Sequence, residues 1–210
     1  MGRTIPAVAV LAALLSARGT AQIAADSHPD VAVLLRLTND AHVPADVITR
    51  AKEELAAVYR AAGVRVVWTD AAAWCAPAGS ASYLEVRIIP NDLADRRSDS
   101  TAVVGDISGT AYRSIRRAYV FYDPLSEYAI HTNSNVARLL AATMAHEVGH
   151  VLLPPFSHSR SGIMRATLHG RIVRVPGFTR DQADTIRKRL AGEAATQGVC
   201  GSDALDFHFF

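Results

Sequence analysis

The chain predicts a single α+β domain, and three observations carry that prediction. Short β-branched and aromatic runs of strand length alternate early with a stretch of helical period, two further helical stretches follow, and no repeat, linker or low-complexity segment divides the series. With 210 residues, half of them hydrophobic, the chain is long enough to bury a sizeable core.

The first 21 residues read as a secretory signal. Arg3 supplies the positive start, Ile5 to Leu15 is an apolar run, and Gly19-Thr20-Ala21 offers small residues for cleavage. The expectation is an exported protein, secreted or periplasmic, whose mature part, residues 22–210, is one domain. The apolar run is too short for a stable membrane span, and no later stretch reaches the roughly 18 apolar residues that a span requires.

Val31 to Leu37 reads as a strand, and Val43 to Ala62 as an amphipathic helix that opens at Pro44-Ala45-Asp46 and closes at Gly63. Val64 to Trp68 is β-branched and aromatic, and Tyr83 to Ile89 alternates apolar with polar residues. Asp92 to Ser100 is a polar loop, Thr101 to Ile107 a short strand and Ala118 to Tyr122 another. Asn135 to Leu153 carries apolar residues at helical spacing until Pro154-Pro155 stops it, since proline lacks the backbone N–H and clashes with the preceding turn. Thr179 to Gly192 is the last helix, with Thr179 as N-cap, Gln182 as its capping-box partner and Gly192 at its end.

Charge excludes more than it identifies. The 22 basic and 20 acidic side chains leave a net charge of +2. Arginines such as Arg113, Arg116, Arg117, Arg171, Arg174, Arg187 and Arg189 read as solvated faces. No dense basic stripe interleaves with aromatics, so nucleic acid is not an expected partner. Cys75 and Cys200 fit one disulfide in an oxidising compartment and are too far apart in sequence for a local metal clip. Trp68, Trp74 and Tyr83 read as packed aromatics, and the tail Phe207-His208-Phe209-Phe210 as a segment that docks on the domain or on a partner.

The chemistry is concentrated in His146-Glu147-Val148-Gly149-His150. On a helix, positions i and i+4 share a face, so both imidazoles reach one zinc ion. Glu147, one residue after the first ligand, projects beside the ion's open position, where a carboxylate can take a proton from a bound water. His158 is the nearest candidate for a third ligand. His169 and Glu193 remain alternatives, and Glu193 would give a two-histidine, one-glutamate site. Ser161-Gly162-Ile163-Met164 closes a short turn after His158.

On these residues the chain resembles the metzincin group of zinc metallopeptidases, whose pattern HExxHxxGxxH is followed by a methionine-containing turn. The resemblance implies a mixed twisted sheet in a zincin-type fold. It implies one Zn²⁺ held by His146, His150 and His158, Glu147 as general base, and Met164 as an apolar floor under the ion. It also implies a peptide or protein substrate, laid along an edge strand for which Thr101 to Ile107 is the candidate. Two positions depart from the pattern: Leu153 stands where the family has glycine and Phe156 where it has its third histidine. The connection to His158 is two residues longer, with the proline pair as the element that redirects the chain. Ala166 stands where some relatives carry a tyrosine that stabilises the oxyanion. A non-catalytic, zinc-stabilised binding protein is the competing reading, against which Glu147 counts, because a structural zinc site has no use for a carboxylate beside an open position.

Overall fold

Residues 31–70, 82–90, 109–167 and 171–196 are described by a computed structural model of the chain. The expected signal, the strand expected at Thr101 to Ile107, Trp74, Cys75, His169, Cys200 and the aromatic tail lie outside the described residues. The described chain runs β1 (Val31–Asn39), α1 (Ala45–Ala61), β2 (Val64–Trp68), β3 (Tyr83–Ile89), β4 (Gly109–Tyr112), β5 (Arg117–Phe121), α2 (Tyr122–His131), α3 (Val136–Leu152) and α4 (Arg180–Thr196).

The strands form one mixed sheet in the order β2-β1-β3-β5-β4. β1 pairs in parallel with β2 and β3, and β3 with β5, whereas β4 runs antiparallel to β5 at the edge. Ala32 to Leu35 of β1 are buried without a break, as expected of a parallel strand covered on both faces, while β3 buries alternate residues Leu84, Val86 and Ile88. α1 buries Ala51, Leu55, Val58 and Tyr59 and packs on β2 and α3.

α3 lies against β3, β4, β5, α1, α2 and α4. Of its 17 residues 14 are buried, so it is enclosed on every side rather than amphipathic. Its run of small residues, Ala141, Ala142 and Ala145, permits that close approach. Asn135 caps it by accepting a hydrogen bond from the Arg138 N–H at 3.1 Å.

The sequence expectation omits α2. Its Pro124 falls in the first helical turn, where no N–H is needed, and Leu125 and Ala129 form its buried face. The last helix starts as expected: the Thr179 N–H donates to the Gln182 side chain at 3.1 Å, and the Gln182 N–H to Thr179 Oγ1 at 3.4 Å. It continues past Gly192 to Thr196, because the ion pair from Arg189 to Glu193 spans the glycine. No described helix is long and apolar enough to cross a membrane.

Candidate metal centre

One turn of α3 places His146 and His150 on the same side, and the chain beyond the helix returns His158 to them. Leu153 leaves the helix extended, at φ −94° and ψ 163°, and is buried. Phe156 adopts φ +60°, a left-handed conformation unusual for a bulky residue, and is fully exposed. Pro155 and Phe156 form the turn that follows the helix end.

The Nε2 atoms of His146 and His150 lie 2.9 Å apart, and those of His150 and His158 3.1 Å. Ligand atoms of all three rings fall within 4.8 Å of one another, the one such cluster of histidine, cysteine and acid side chains found among the described residues. His146 Nδ1 donates to the Ile163 carbonyl at 2.8 Å, which leaves its Nε2 as a lone pair facing the other two rings. Ser157 Oγ lies 3.4 Å from His150 Nδ1. Three lone pairs that converge in this way are the arrangement that a cation among them would satisfy. Zinc bonded at about 2.0–2.1 Å in tetrahedral geometry separates its nitrogens by roughly 3.3 Å, close to the observed spacing, so the donor set fits that ion.

Electrostatics agrees with the geometry. Burial lowers the His150 pKa to about 4, helped by the neighbouring His146 and His158 and by the charge of Arg113. Burial also lowers that of His146, against the opposing hydrogen bond to Ile163. Both shifts favour the uncharged form of His146 and His150 that metal ligation requires. Glu147 is buried and makes no hydrogen bond among the described residues, and burial raises its carboxyl to about 8.

The turn holding Met164 closes with a hydrogen bond of 2.8 Å from the Ser159 N–H to the Met164 carbonyl, and Gly162 takes φ +80° within it. Met164 is wholly buried, and a Cβ on Gly149 would stand 2.6 Å from its sulfur, so glycine inside the motif makes room for it. Gln182 anchors the loop on both sides of His158, donating to the Ser157 carbonyl at 3.2 Å and to Ser159 Oγ at 3.1 Å.

Glu193 is not part of this cluster. Its carboxylate is gripped by Arg189 at 2.8 Å and Arg116 at 3.1 Å. Burial alone would raise its pKa, but these two partners outweigh it and hold it below the usual value. The two-histidine, one-glutamate alternative is thereby corrected. The reading of the arginines as solvated faces is corrected too: Arg116, Arg117, Arg187 and Arg189 form ion pairs, and Arg113 buries Nη1 without a hydrogen-bond partner among the described residues. Gly109 is a further site residue that the sequence did not reveal. It begins β4, where a Cβ would lie 2.7 Å from Glu147 Cγ and 2.7 Å from the Tyr119 carbonyl oxygen. The segment Gly-Thr-Ala-Tyr has no apolar alternation to mark it as a strand.

Fold and centre together define the class: a mixed-sheet α+β domain with a three-histidine cluster built on its enclosed helix. The sequence matches no protein-family model and no curated protein. Among solved structures the chain is similar to a zinc-dependent peptidase from Methanocorpusculum labreanum, with 16% identity, TM-score 0.39, and 77% of this chain and 97% of that one covered. It is similar to an archaemetzincin from Archaeoglobus fulgidus complexed with malonate (14%, TM-score 0.39, 74% and 99% covered). A third similar structure is an archaemetzincin from Methanopyrus kandleri (13%, TM-score 0.41, 77% and 96% covered). Superposition at this level is loose, so the reading of the centre rests on its own geometry.

Proposed function

We propose that this chain is a zinc-dependent peptidase in which His146, His150 and His158 hold the ion and Glu147 carries the proton. The observation that supports it most is the pairing of a converging histidine triad, oriented by the Ile163 carbonyl, with a buried carboxylate on the same helix turn that no other described group satisfies. When held by these three imidazoles, zinc would supply the positive charge that acidifies a water to a pKa of about 7 and polarises a carbonyl. Glu147 accepts the proton of the attacking water and delivers it to the leaving amine. A bound zinc ion would favour the ionised, proton-accepting form of Glu147, while burial favours the protonated form that donates. Among the described strands, β4 pairs only with β5, and its other edge offers backbone groups to an extended peptide by strand addition. Gly109, at the start of that strand, leaves room for the Glu147 side chain.

The test is metal content and cleavage of a mixed peptide library by wild type, His158→Ala and Glu147→Gln. One zinc per chain is expected in wild type and Glu147→Gln and little in His158→Ala, with cleavage by wild type alone. Zinc without cleavage of any peptide overturns the peptidase reading, and wild-type protein that takes up no zinc overturns the centre itself.

A further inference from the structure

The turn that carries Met164 has two faces. Its inner face holds His146 through the Ile163 carbonyl; its outer face, with the segment Arg171 to Pro176, encloses an open groove of about 430 Å³. Four arginines line the groove, Arg160, Arg165, Arg171 and Arg174, together with Ile172 and Pro176, and no acidic side chain among the described residues does. All four are exposed, and none makes an ion pair or a side-chain hydrogen bond among the described residues. Six other arginines, Arg87, Arg116, Arg117, Arg138, Arg187 and Arg189, each pair with a carboxylate.

The walls are anchored. Ile172 and Val175 are buried, the Ile172 N–H donates to Ser134 Oγ at 3.2 Å, and the Ile163 N–H donates to the Gly177 carbonyl at 2.8 Å. The four guanidinium groups are thus gathered around one concavity by a backbone tied to the core. Like charges at close quarters repel, and an anion bridging them removes that repulsion.

We infer that this groove binds the acidic side chains of a peptide, so that the proposed peptidase recruits substrates carrying clustered Asp or Glu through a surface on the far side of the methionine turn from the metal centre. The assignment of substrate class rests on the peptidase reading; the anion site itself does not. A carboxylate ligand is favoured over nucleic acid because none of the described residues lining the groove carries an aromatic ring on which a base could stack. Guanidinium forks match carboxylates in geometry as well as charge.

Binding is tested on zinc-loaded Glu147→Gln protein with a fluorescent hexaglutamate peptide and its hexaglutamine counterpart. The Arg171→Gln, Arg174→Gln pair is added to that background, and the exposed α1 pair Arg50→Gln, Arg60→Gln serves as the charge-matched control. Expected are salt-sensitive binding of hexaglutamate but not hexaglutamine, about tenfold weakening by the groove pair, and less than about twofold by the control pair. Absence of binding, equal loss in both pairs, no loss in the groove pair, or tighter binding of a thymidine hexanucleotide overturns the inference. Because cleavage is not read, these outcomes stand apart from the fate of the peptidase reading: active protein without hexaglutamate binding removes the groove alone.

Discussion

The side-chain amide of Gln182 donates to the carbonyl of Ser157 at 3.2 Å, one residue before His158. The same nitrogen lies 3.1 Å from Ser159 Oγ, so α4 grips the histidine's loop on both sides. The capping box that starts α4 therefore also fixes the third candidate ligand. Gln182→Glu keeps the acceptor for the Thr179 N–H but removes the donor to the loop. It is expected to weaken zinc binding about tenfold, in the range seen when outer-sphere partners of metal ligands are removed. Thr179→Ala loses the cap oxygen, costs about 1 kcal/mol of stability and leaves zinc affinity unchanged. Competition with a chromophoric chelator reads the first, urea denaturation the second; equal zinc affinity in wild type and Gln182→Glu would refute the grip.

Gly149→Ala tests the packing under the motif. The new Cβ would lie 2.6 Å from the sulfur of the wholly buried Met164 and 3.1 Å from Cε1 of the partly buried Phe178. Overpacking of this kind costs about 1–3 kcal/mol. Met164→Ala creates a cavity on its own, but combined with Gly149→Ala it removes the clash, so the double variant is expected to lose less than the sum of the two. Strict additivity in denaturation would show that the two residues do not press on each other.

Gly109→Ala is expected to impair hydrolysis while zinc content stays at the wild-type level. Its Cβ would meet Glu147 Cγ, not a histidine, so the proton carrier is displaced and the ligands are not. The same atom meets the Tyr119 carbonyl, and the pairing of β4 with β5 weakens as well. Single-turnover cleavage beside metal analysis separates the two effects; loss of zinc in parallel with activity would place Gly109 in the centre's scaffold instead.

Stability of the metal-free protein is expected to fall between pH 6.5 and 8. Burial raises Glu147 from 4.5 to about 8, so over that interval the folded protein keeps a proton that the unfolded chain has released, and stability drops as pH rises. Burial, with the neighbouring histidines and Arg113, lowers His150 from 6.5 to about 4, and His146 is lowered too; that stability is lost as pH falls below 6.5. Above about 7.5, once the unfolded histidines have also lost their protons, the Glu147 slope dominates among the described groups with a resolved shift, and Glu147→Gln abolishes it. Urea titrations of chelator-treated protein at both pH values check this; a flat wild-type profile would exclude a buried, unpaired carboxyl.

Much of the architecture was legible because its signals are local. Val64–Trp68 and Tyr83–Ile89 announced themselves by β-branched runs and alternation, and Thr179 with Gln182 by a capping box that depends only on residues three apart. α2 was missed because Tyr122-Asp123-Pro124 reads as the end of a strand and a turn, although proline in a first helical turn costs no hydrogen bond. β4 was missed because an edge strand of four residues gains its conformation from β5, not from its own sequence.

The sequence by itself determined the i, i+4 spacing of His146 and His150, the carboxylate beside them, and the break at Pro154, since all three follow from helix geometry and proline chemistry. Tertiary structure decided the rest. It brought His158 to the triad through the left-handed Phe156, tied Glu193 to Arg116 and Arg189 instead, set Gly109 against Glu147, and gathered Arg160, Arg165, Arg171 and Arg174 around one groove. These juxtapositions join residues on different elements, and no local propensity encodes them. They arise only when α3 is enclosed by the sheet and its neighbouring helices, because that burial fixes which loops must cross the helix end and which side chains they carry there.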